Sequence, residues 1–337
     1  MQPVFPGKRD WTSWADTTGF FQVGVKSSRC SIRSALEGFA MDPNTALTLT
    51  DEVSDQMVRK KVTCPFLGSA VHQKFLAVRG DADNPLASIE DVRRLGNSGG
   101  GDLGDLLVMF ASGNHAFMRG DDGKLSKKVP NGLFSLELPG SQGSHPGHSG
   151  ILQGDPETLD SGRPSEADFA RLAIRAKGGF IKRSDLGRFI AENLLRDPKS
   201  KVLALTAAQL LVRDVGALAQ TVAVPLGTIF GGSADDAPAA GRTAEEKLTK
   251  LLRVDNLVGS SGEFGLLFAF LINKPGESDI DGEPALSFDD VQGMFLNMTL
   301  PTGWQTWKKR RVDWTVHTTG LLLSAAKEYH AQKRSAS

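Results

Sequence analysis

A cysteine and the proline that follows it have the clearest chemical potential in this sequence. Cys64-Pro65 precedes a run of apolar residues with helical spacing, which begins at Phe66. Proline is favoured at the first helical position, so we predict that Cys64 lies at a helix N-terminus. There the free N–H groups and the helix dipole stabilise an anion and favour a thiolate. A thiolate can attack a substrate, join a disulfide or bind a metal. The alternative is a buried, inert cysteine.

The composition has enough hydrophobic residues for a large core, and the formal net charge of the chain is zero. The chain has 337 residues, of which 40% are hydrophobic, and both Lys+Arg and Asp+Glu number 39. A chain without net charge gives no indication of a nucleic-acid or membrane-surface partner. The basic run at 308–311 lies between two tryptophans. We interpret it as a solvated helix start rather than as a phosphate site.

The cysteine count and the N-terminal sequence bear on the compartment. Cys30 and Cys64 are too few for a secreted disulfide scaffold. Residues 1–14 do not have the charged and then apolar pattern of a signal peptide, and no apolar run is long enough to span a bilayer. These features predict an intracellular, cytoplasmic protein without a membrane partner.

Apolar periodicity predicts a mainly α protein, in one helical domain overall. Residues 1–60 are expected to form an N-terminal extension that packs on a helical body at 61–337. Strand patterns are few and short, and no segment repeats. Besides a helix after Cys64, the predicted helices span 31–39, 50–62, 88–95, 103–110, 165–177, 184–195, 203–220, 243–252, 263–272, 287–297 and 313–331.

Three segments together resemble the haem-thiolate peroxidases, the superfamily of chloroperoxidase and the unspecific peroxygenases. Cys-Pro-Phe-Leu at 64–67 is similar to the family's Cys-Pro-x-Leu segment around the axial ligand of haem iron. The segment at 104–121 is similar to the one that leads into the family's acidic motif. Gly-Glu-Phe-Gly-Leu-Leu-Phe-Ala at 262–269, with Leu-Pro-Thr-Gly-Trp at 300–304, resembles the helix of the distal glutamate. The resemblance covers residues 60–310 discontinuously.

The resemblance implies a fold, a cofactor and a reaction. It implies a single-domain helical fold around haem b, with Cys64 as axial ligand and Pro65 and Phe66 beside it. Glu263 would be the acid–base that moves a proton between the oxygens of hydrogen peroxide. The substrate would be a small apolar or aromatic molecule. On composition alone, Glu263 is instead a first-turn acid that favours the helix dipole. The candidate pocket walls are Phe110, Phe117, Phe264 and Phe268.

The chain departs from the family at the acidic motif. The position of the family's cation-binding glutamate is Met118 or Arg119 here, and neither binds a cation. We expect Arg119 to pair with a haem propionate in place of the metal, because a guanidinium suits a carboxylate bidentately. Asp121 and Asp122 are the alternative, as ligands of Mg²⁺ or Mn²⁺.

Other polar positions have weaker matches. Arg175 and Arg213 are the candidates for the arginine that assists the glutamate in peroxygenase-like members. Where chloroperoxidase-like members have a histidine beside the catalytic glutamate, this chain has Arg119 or Gly120, which puts halide chemistry in doubt. We interpret His72 and His115 as structural hydrogen-bonding residues rather than ligands.

Three other functions are compatible with the sequence. A haem-dependent isomerase or dehydratase of an oxygenated metabolite would keep the cofactor and change the reaction. A non-catalytic haem sensor or carrier would not need Glu263. A cofactor-free helical binding module would simply bury Cys64.

Overall fold

A computed structural model describes most of the helical body of the chain. The residues that it describes lie in one compact unit, Asp42–Ser337. The helices predicted at 31–39, 203–220 and 243–252 lie outside them, as does most of the predicted N-terminal extension. The described residues are 46, 50–62, 64–81, 85–115, 118–119, 125–126, 132–136, 150–152, 164–198, 200, 202, 255–276 and 279–336.

These residues are mostly helical, which confirms the prediction of a mainly α protein. No helix among them is long and apolar enough to cross a membrane. Two short 3₁₀ turns, Ser98–Gly100 and Trp304–Thr306, add to the α-helices. The α-helices are α1 Asp51–Lys61, α2 Pro65–His72, α3 Ile89–Gly96, α4 Gly104–His115, α5 Glu166–Ala173, α6 Arg183–Arg196, α7 Asn256–Leu271, α8 Phe288–Leu296 and α9 Arg311–Ala336.

The strands are short and form three small antiparallel sheets. One sheet has the order β1-β2-β5, the second pairs β3 with β4, and the third has the order β6-β8-β7. In the third sheet Ile181 pairs with Leu286, and both are buried. The strands are β1 Arg79–Gly80, β2 Pro85–Ser88, β3 Met118–Arg119, β4 Leu125–Ser126, β5 Leu133–Ser135, β6 Phe180–Lys182, β7 Asp279–Ile280 and β8 Glu283–Ser287.

Side-chain caps fix several helix starts where the sequence predicted them. The hydroxyl of Thr50 accepts from the backbone N–H of Val53 at the start of α1. Ser88 and Ser287 cap α3 and α8 in the same way. Such caps satisfy backbone donors that a helix start leaves unpaired. The boundary predicted after residue 60 falls in the last turn of α1, which packs on α2.

Helix α7 is the centre of the body. All of its residues are buried, and it packs on α9 and α6. It begins at Asn256, seven residues before the predicted start at 263, and the Asp255 carboxylate accepts from Val258 N at 2.9 Å. At Gly265 a Cβ would lie 1.9 Å from Thr318 Oγ1, so α9 approaches α7 more closely there than any larger residue allows.

A buried lysine organises the turn that follows α8. Lys309 has no exposed surface, and its Nζ donates to the carbonyls of Trp304 at 2.5 Å and Trp307 at 2.7 Å. The same Nζ lies 3.7 Å from the centroid of the Trp304 ring. The interpretation of 308–311 as a solvated helix start is therefore wrong for Lys309. The local sequence does not indicate that the folded turn places two backbone carbonyls around this ammonium.

Two polar side chains tie α2 to the segments beside it. The Gln73 amide forms a double contact with the backbone of Leu300, donating from Nε2 at 3.2 Å and accepting at Oε1 at 2.6 Å. The hydroxyl of Ser69 donates to the carbonyls of Pro65 at 2.8 Å and Met294 at 3.2 Å. These contacts fix α2 against α8 and the turn after it.

Candidate functional site

Cys64 lies where the sequence predicts it, at the N-cap of α2. Its backbone is extended, and Pro65 takes the first helical position. The carbonyl of Cys64 already accepts the first helical bond, from Gly68 N at 2.8 Å. Its side chain makes no capping hydrogen bond, and the residue as a whole is partly exposed. The thiol itself is buried at the helix N-terminus, near the backbone N–H groups of Phe66 and Leu67.

Glu263 lies in the interior of α7, not at its start. It is the eighth residue of a helix that is otherwise almost entirely apolar or small, and it is 7% exposed. The interpretation of Glu263 as a first-turn acid that favours the helix dipole is therefore wrong. A carboxylate in such surroundings is costly to bury unless it has a partner or a function.

Cys64 and Glu263 line the same pocket. Pro65 and Phe66, the predicted neighbours of the cofactor, line it as well. The remaining wall is apolar and comes from α2, α4, α7 and α8. Its aromatic and thioether side chains are Phe66, Phe110, Phe264, Phe270, Met294 and Phe295. Two polar groups, far apart in sequence, thus face one apolar space.

Burial, not the helix N-terminus, dominates the electrostatics of the thiol. Burial and the charge of Glu263 raise the pKa of Cys64 to about 12. The N–H groups of Leu67 and Phe66 lower this pKa, but by less. The expectation that the helix field makes Cys64 a thiolate therefore does not hold for the free side chain. A bound metal ion displaces the thiol proton and reverses this balance.

Aromatic contacts close the pocket between α2 and α7. The rings of Phe66 and Phe270 stack with centroids 3.9 Å apart and an interplanar angle of 15°. Trp304 Nε1 donates to the carbonyl of Phe270 at 3.0 Å. Since Lys309 holds Trp304, the pocket wall is supported by the buried lysine.

The donor chemistry of the pocket suits a haem, although its free space is small. One thiol at a helix start and one carboxylate in an apolar wall are a suitable axial ligand and acid–base pair. The cavity volume is about 40 Å³. A macrocycle is much larger than such a space, so it must separate the walls to bind.

Two residues predicted for the site lie elsewhere. Phe268 was a candidate pocket wall, but it is absent from the pocket lining and stacks on His317 with centroids 4.6 Å apart. Arg175 was a candidate assistant of Glu263, but its guanidinium pairs with Glu192. Helix geometry determines the position of Phe268, and an ion pair determines that of Arg175. Both depend on the fold.

Among the residues that the structure describes, His72 and His317 each have a buried ring nitrogen without a hydrogen-bond partner. Nδ1 of His72 makes no hydrogen bond, so its interpretation as a structural hydrogen-bonding residue is not supported at that atom. Nδ1 of His317 is likewise unpartnered. Burial, with the charges of Arg183 and Arg310, lowers the pKa of His317 to about 4. This ring is therefore neutral at pH 7.

Several predicted site residues are not described by the structure. The backbone of Arg119 lies in β3, where it pairs with Leu125, but its side chain is not described. Its pairing with a propionate remains a prediction. Within the described part of the chain, no three His, Cys, Asp or Glu side chains form a metal site. The predicted site residues that the structure does not describe are Phe117, Asp121, Asp122 and Arg213, together with the side chain of His115.

Sequence reasoning missed Met294 as a member of the pocket. Met294 lies on α8, which the apolar pattern predicted, and it is 3% exposed. Periodicity identifies such a residue as core and does not indicate which cavity it borders. Met298, four residues further along the chain, is also buried but does not line the pocket.

Comparison with protein-family models, with curated proteins and with solved structures finds no match to this chain.

Proposed function

We propose that this protein is a haem-thiolate peroxidase or peroxygenase, which uses hydrogen peroxide to oxidise or oxygenate a small apolar or aromatic substrate. One observation carries the proposal: Cys64 and Glu263 line a single, otherwise apolar pocket. The sequence resemblance assigned complementary roles to these two residues. Their presence in one pocket supports that assignment independently of the motifs.

Cys64 would hold the iron of haem b. A thiolate-ligated haem held there would supply heterolytic cleavage of the peroxide O–O bond. In the free protein the thiol is neutral at pH 7, because burial raises its pKa to about 12. Binding iron would therefore require Sγ to release its proton, and the N–H groups of Phe66 and Leu67 would stabilise the negative sulfur.

Glu263 would move the proton of the peroxide. Its carboxylate takes the proton from the first peroxide oxygen and returns it to the oxygen that leaves as water. The interior position on α7 supports this role, because a helix buried on all sides holds the carboxylate in one place. Preorganised acid–base groups of this kind need no rearrangement during the reaction.

The apolar wall defines the second substrate. Apart from Cys64 and Glu263, the pocket offers aromatic and aliphatic side chains. A small apolar or aromatic acceptor loses little solvation in such a site, whereas a charged acceptor would lose its hydration without compensation. The stacked rings of Phe66 and Phe270 form part of this apolar wall.

The decisive experiment is an absorption spectrum of the full chain expressed with a haem supply. We expect a strongly red-shifted Soret band for the ferrous–CO complex. Cys64→Ala should lose that band, while Cys30→Ala, the matched control at the only other cysteine, should keep it. A histidine-type spectrum, or a colourless protein, would contradict the proposal.

The role of Glu263 needs a separate test. Glu263→Gln removes the titratable oxygen with little change in volume, so haem should remain bound with its thiolate spectrum. Peroxide-dependent turnover of an apolar acceptor should fall by about 10²–10⁴-fold, the usual contribution of a general acid–base. Unchanged turnover would assign the protein to haem transport or sensing instead.

A cofactor-free binding module is the second candidate, and the small size of the pocket favours it. The pocket has a cavity volume of about 40 Å³, and its thiol is neutral. These features suit a small apolar ligand and an inert cysteine. A protein that stays colourless with haem present but is stabilised by such a ligand would support this alternative.

A further inference from the structure

Helix α9 has a second apolar face that no described element covers. Its first face packs on α6 and α7. On the outer face, Val312 is 56% exposed, Val316 is 52% exposed and Leu323 is 54% exposed. Thr319 lies between them and is partly exposed. These four residues, which we call the outer stripe, have the spacing i, i+4, i+7 and i+11, so they lie along one side of the helix.

The outer stripe lies in a part of α9 that has no charged side chain. Between Asp313 and Lys327 the sequence contains no Asp, Glu, Lys or Arg. A helix face that stays in solvent normally carries charged side chains, whereas a helix that is apolar all round is buried. The stripe extends about 17 Å along the helix axis, at 1.5 Å per residue. It therefore needs a cover that the described residues do not supply.

The sequence of the chain contains an apolar segment with a matching pattern. In the helix predicted at 203–220, Arg213 and Asp214 are the only charged residues. Two helices whose apolar residues alternate in steps of four and three can pack side by side along their length. The outer stripe has this alternation. In the predicted helix the same alternation is formed by Ala204, Ala208, Leu211, Val215 and Leu218.

The two points where this segment joins the described chain favour α9 as its neighbour. Residues 203–254 lie outside the described part of the chain, which stops at Val202 after α6 and resumes at Asp255, the N-cap of α7. Both α6 and α7 pack on α9. The segment therefore leaves from one neighbour of α9 and returns to another.

We propose that the outer stripe of α9 is the docking surface for residues 203–220 of the same chain. Burial of apolar side chains on both partners drives the contact. Because the segment is tethered to α6 and α7, docking is intramolecular and does not depend on protein concentration, which favours it over a second copy of the chain. The inference is independent of the proposed function, because it needs neither haem nor the pocket.

The test is hydrogen–deuterium exchange of the full chain, measured by mass spectrometry. In the wild type, peptides within 203–220 should exchange about tenfold or more slowly than an unstructured chain. Val316→Asp places a charge in the stripe, so it should raise the exchange rate of these peptides about tenfold or more. Leu211→Asp, on the other side of the contact, should have the same effect. Peptides of α7 should keep their slow exchange in both variants, which shows that the core remains folded.

Val53→Asp is the matched control, since Val53 is 41% exposed on α1 and lies outside the stripe. It should leave the exchange of 203–220 unchanged. Exchange of 203–220 at the rate of an unstructured chain, or exchange that neither Val316→Asp nor Leu211→Asp accelerates, would overturn the proposal. A wild-type protein that sediments as a dimer, and as a monomer after Val316→Asp, would also overturn it, because a second copy would then cover the stripe.

Discussion

The buried Lys309 gives a quantitative prediction about stability and pH. Burial lowers the pKa of Lys309 from 10.5 to about 7. This shift corresponds to a free-energy cost of burying the ammonium of about 5 kcal/mol at most. The carbonyls of Trp304 and Trp307 reduce this cost because they stabilise the ammonium. The pKa of Lys309 is lower in the folded protein than in the unfolded chain, so the free-energy cost of burying the charged amine is fully present below about pH 7.

The sign of the pH dependence follows from proton uptake. Between pH 7 and 10.5 the unfolded chain holds a proton on Lys309 that the folded chain has lost. Unfolding therefore takes up a proton, and the free energy of unfolding should rise with pH by roughly 1 kcal/mol per unit over this window. In Lys309→Met this contribution is absent. The difference between wild type and variant should therefore grow by about 2 kcal/mol from pH 7 to pH 9.

Urea unfolding of the two proteins at several pH values measures this difference. At pH 9 the neutral amine still donates to both carbonyls, so Lys309→Met should be the less stable protein by about 1–3 kcal/mol. Lys308→Met is the control, since Lys308 is exposed, and it should change the free energy of unfolding by less than about 0.5 kcal/mol. A difference that stays constant or falls with pH would refute the reasoning.

Three further predictions concern the supports of the site. Gly265→Ala should destabilise the protein by about 1–3 kcal/mol in urea unfolding, because the new Cβ would lie 1.9 Å from Thr318 Oγ1. Gln73→Leu should cost about 1–3 kcal/mol in the same assay, because it leaves both backbone groups of Leu300 without their side-chain partner. The Cys64 thiol of the haem-free protein should react with iodoacetamide more slowly at pH 8 than an unburied cysteine, because its pKa is raised to about 12.

Each of these predictions has a matched control. Thr318→Ala should partly restore the stability of the glycine variant, since it removes the nearest atom. Gln56→Leu, at an exposed position of α1, should be nearly neutral in the unfolding assay. The alkylation is measured in a Cys30→Ala background, and Glu263→Gln should accelerate it by removing a charge that raises the thiol pKa. Lack of rescue, a large cost at Gln56 or rapid alkylation would each contradict the corresponding argument.

The sequence predicts the elements whose signals are local. Helix α3 begins where Ser88 accepts from its own first turn, and α8 begins at Ser287 for the same reason. The start of α7 was missed because the helix is buried on every side and has no amphipathic period. Its signal was the cap at Asp255, whose carboxylate accepts from Val258 N.

Tertiary contacts determine what the sequence does not predict. Lys309 is in a charged run, and only the folded turn shows that its ammonium is buried. The pairing of Arg175 with Glu192 joins the turn after α5 to α6, so local spacing does not reveal it. The shared pocket of Cys64 and Glu263 was expected through the resemblance alone, since no local rule connects them.

The complete burial of α7 has a consequence for the timescales of this protein. A helix without an exposed face exchanges its amide hydrogens only when the surrounding core opens, so these amides should be among the slowest to exchange. Glu263 therefore belongs to the part of the molecule that opens last. Cys64 lies at the N-cap of the shorter helix α2, which Ser69 and Gln73 hold against α8 and the turn after it. A ligand that separates α2 from α8 would have to break these few contacts, whereas displacing the carboxylate would require the core around α7 to open.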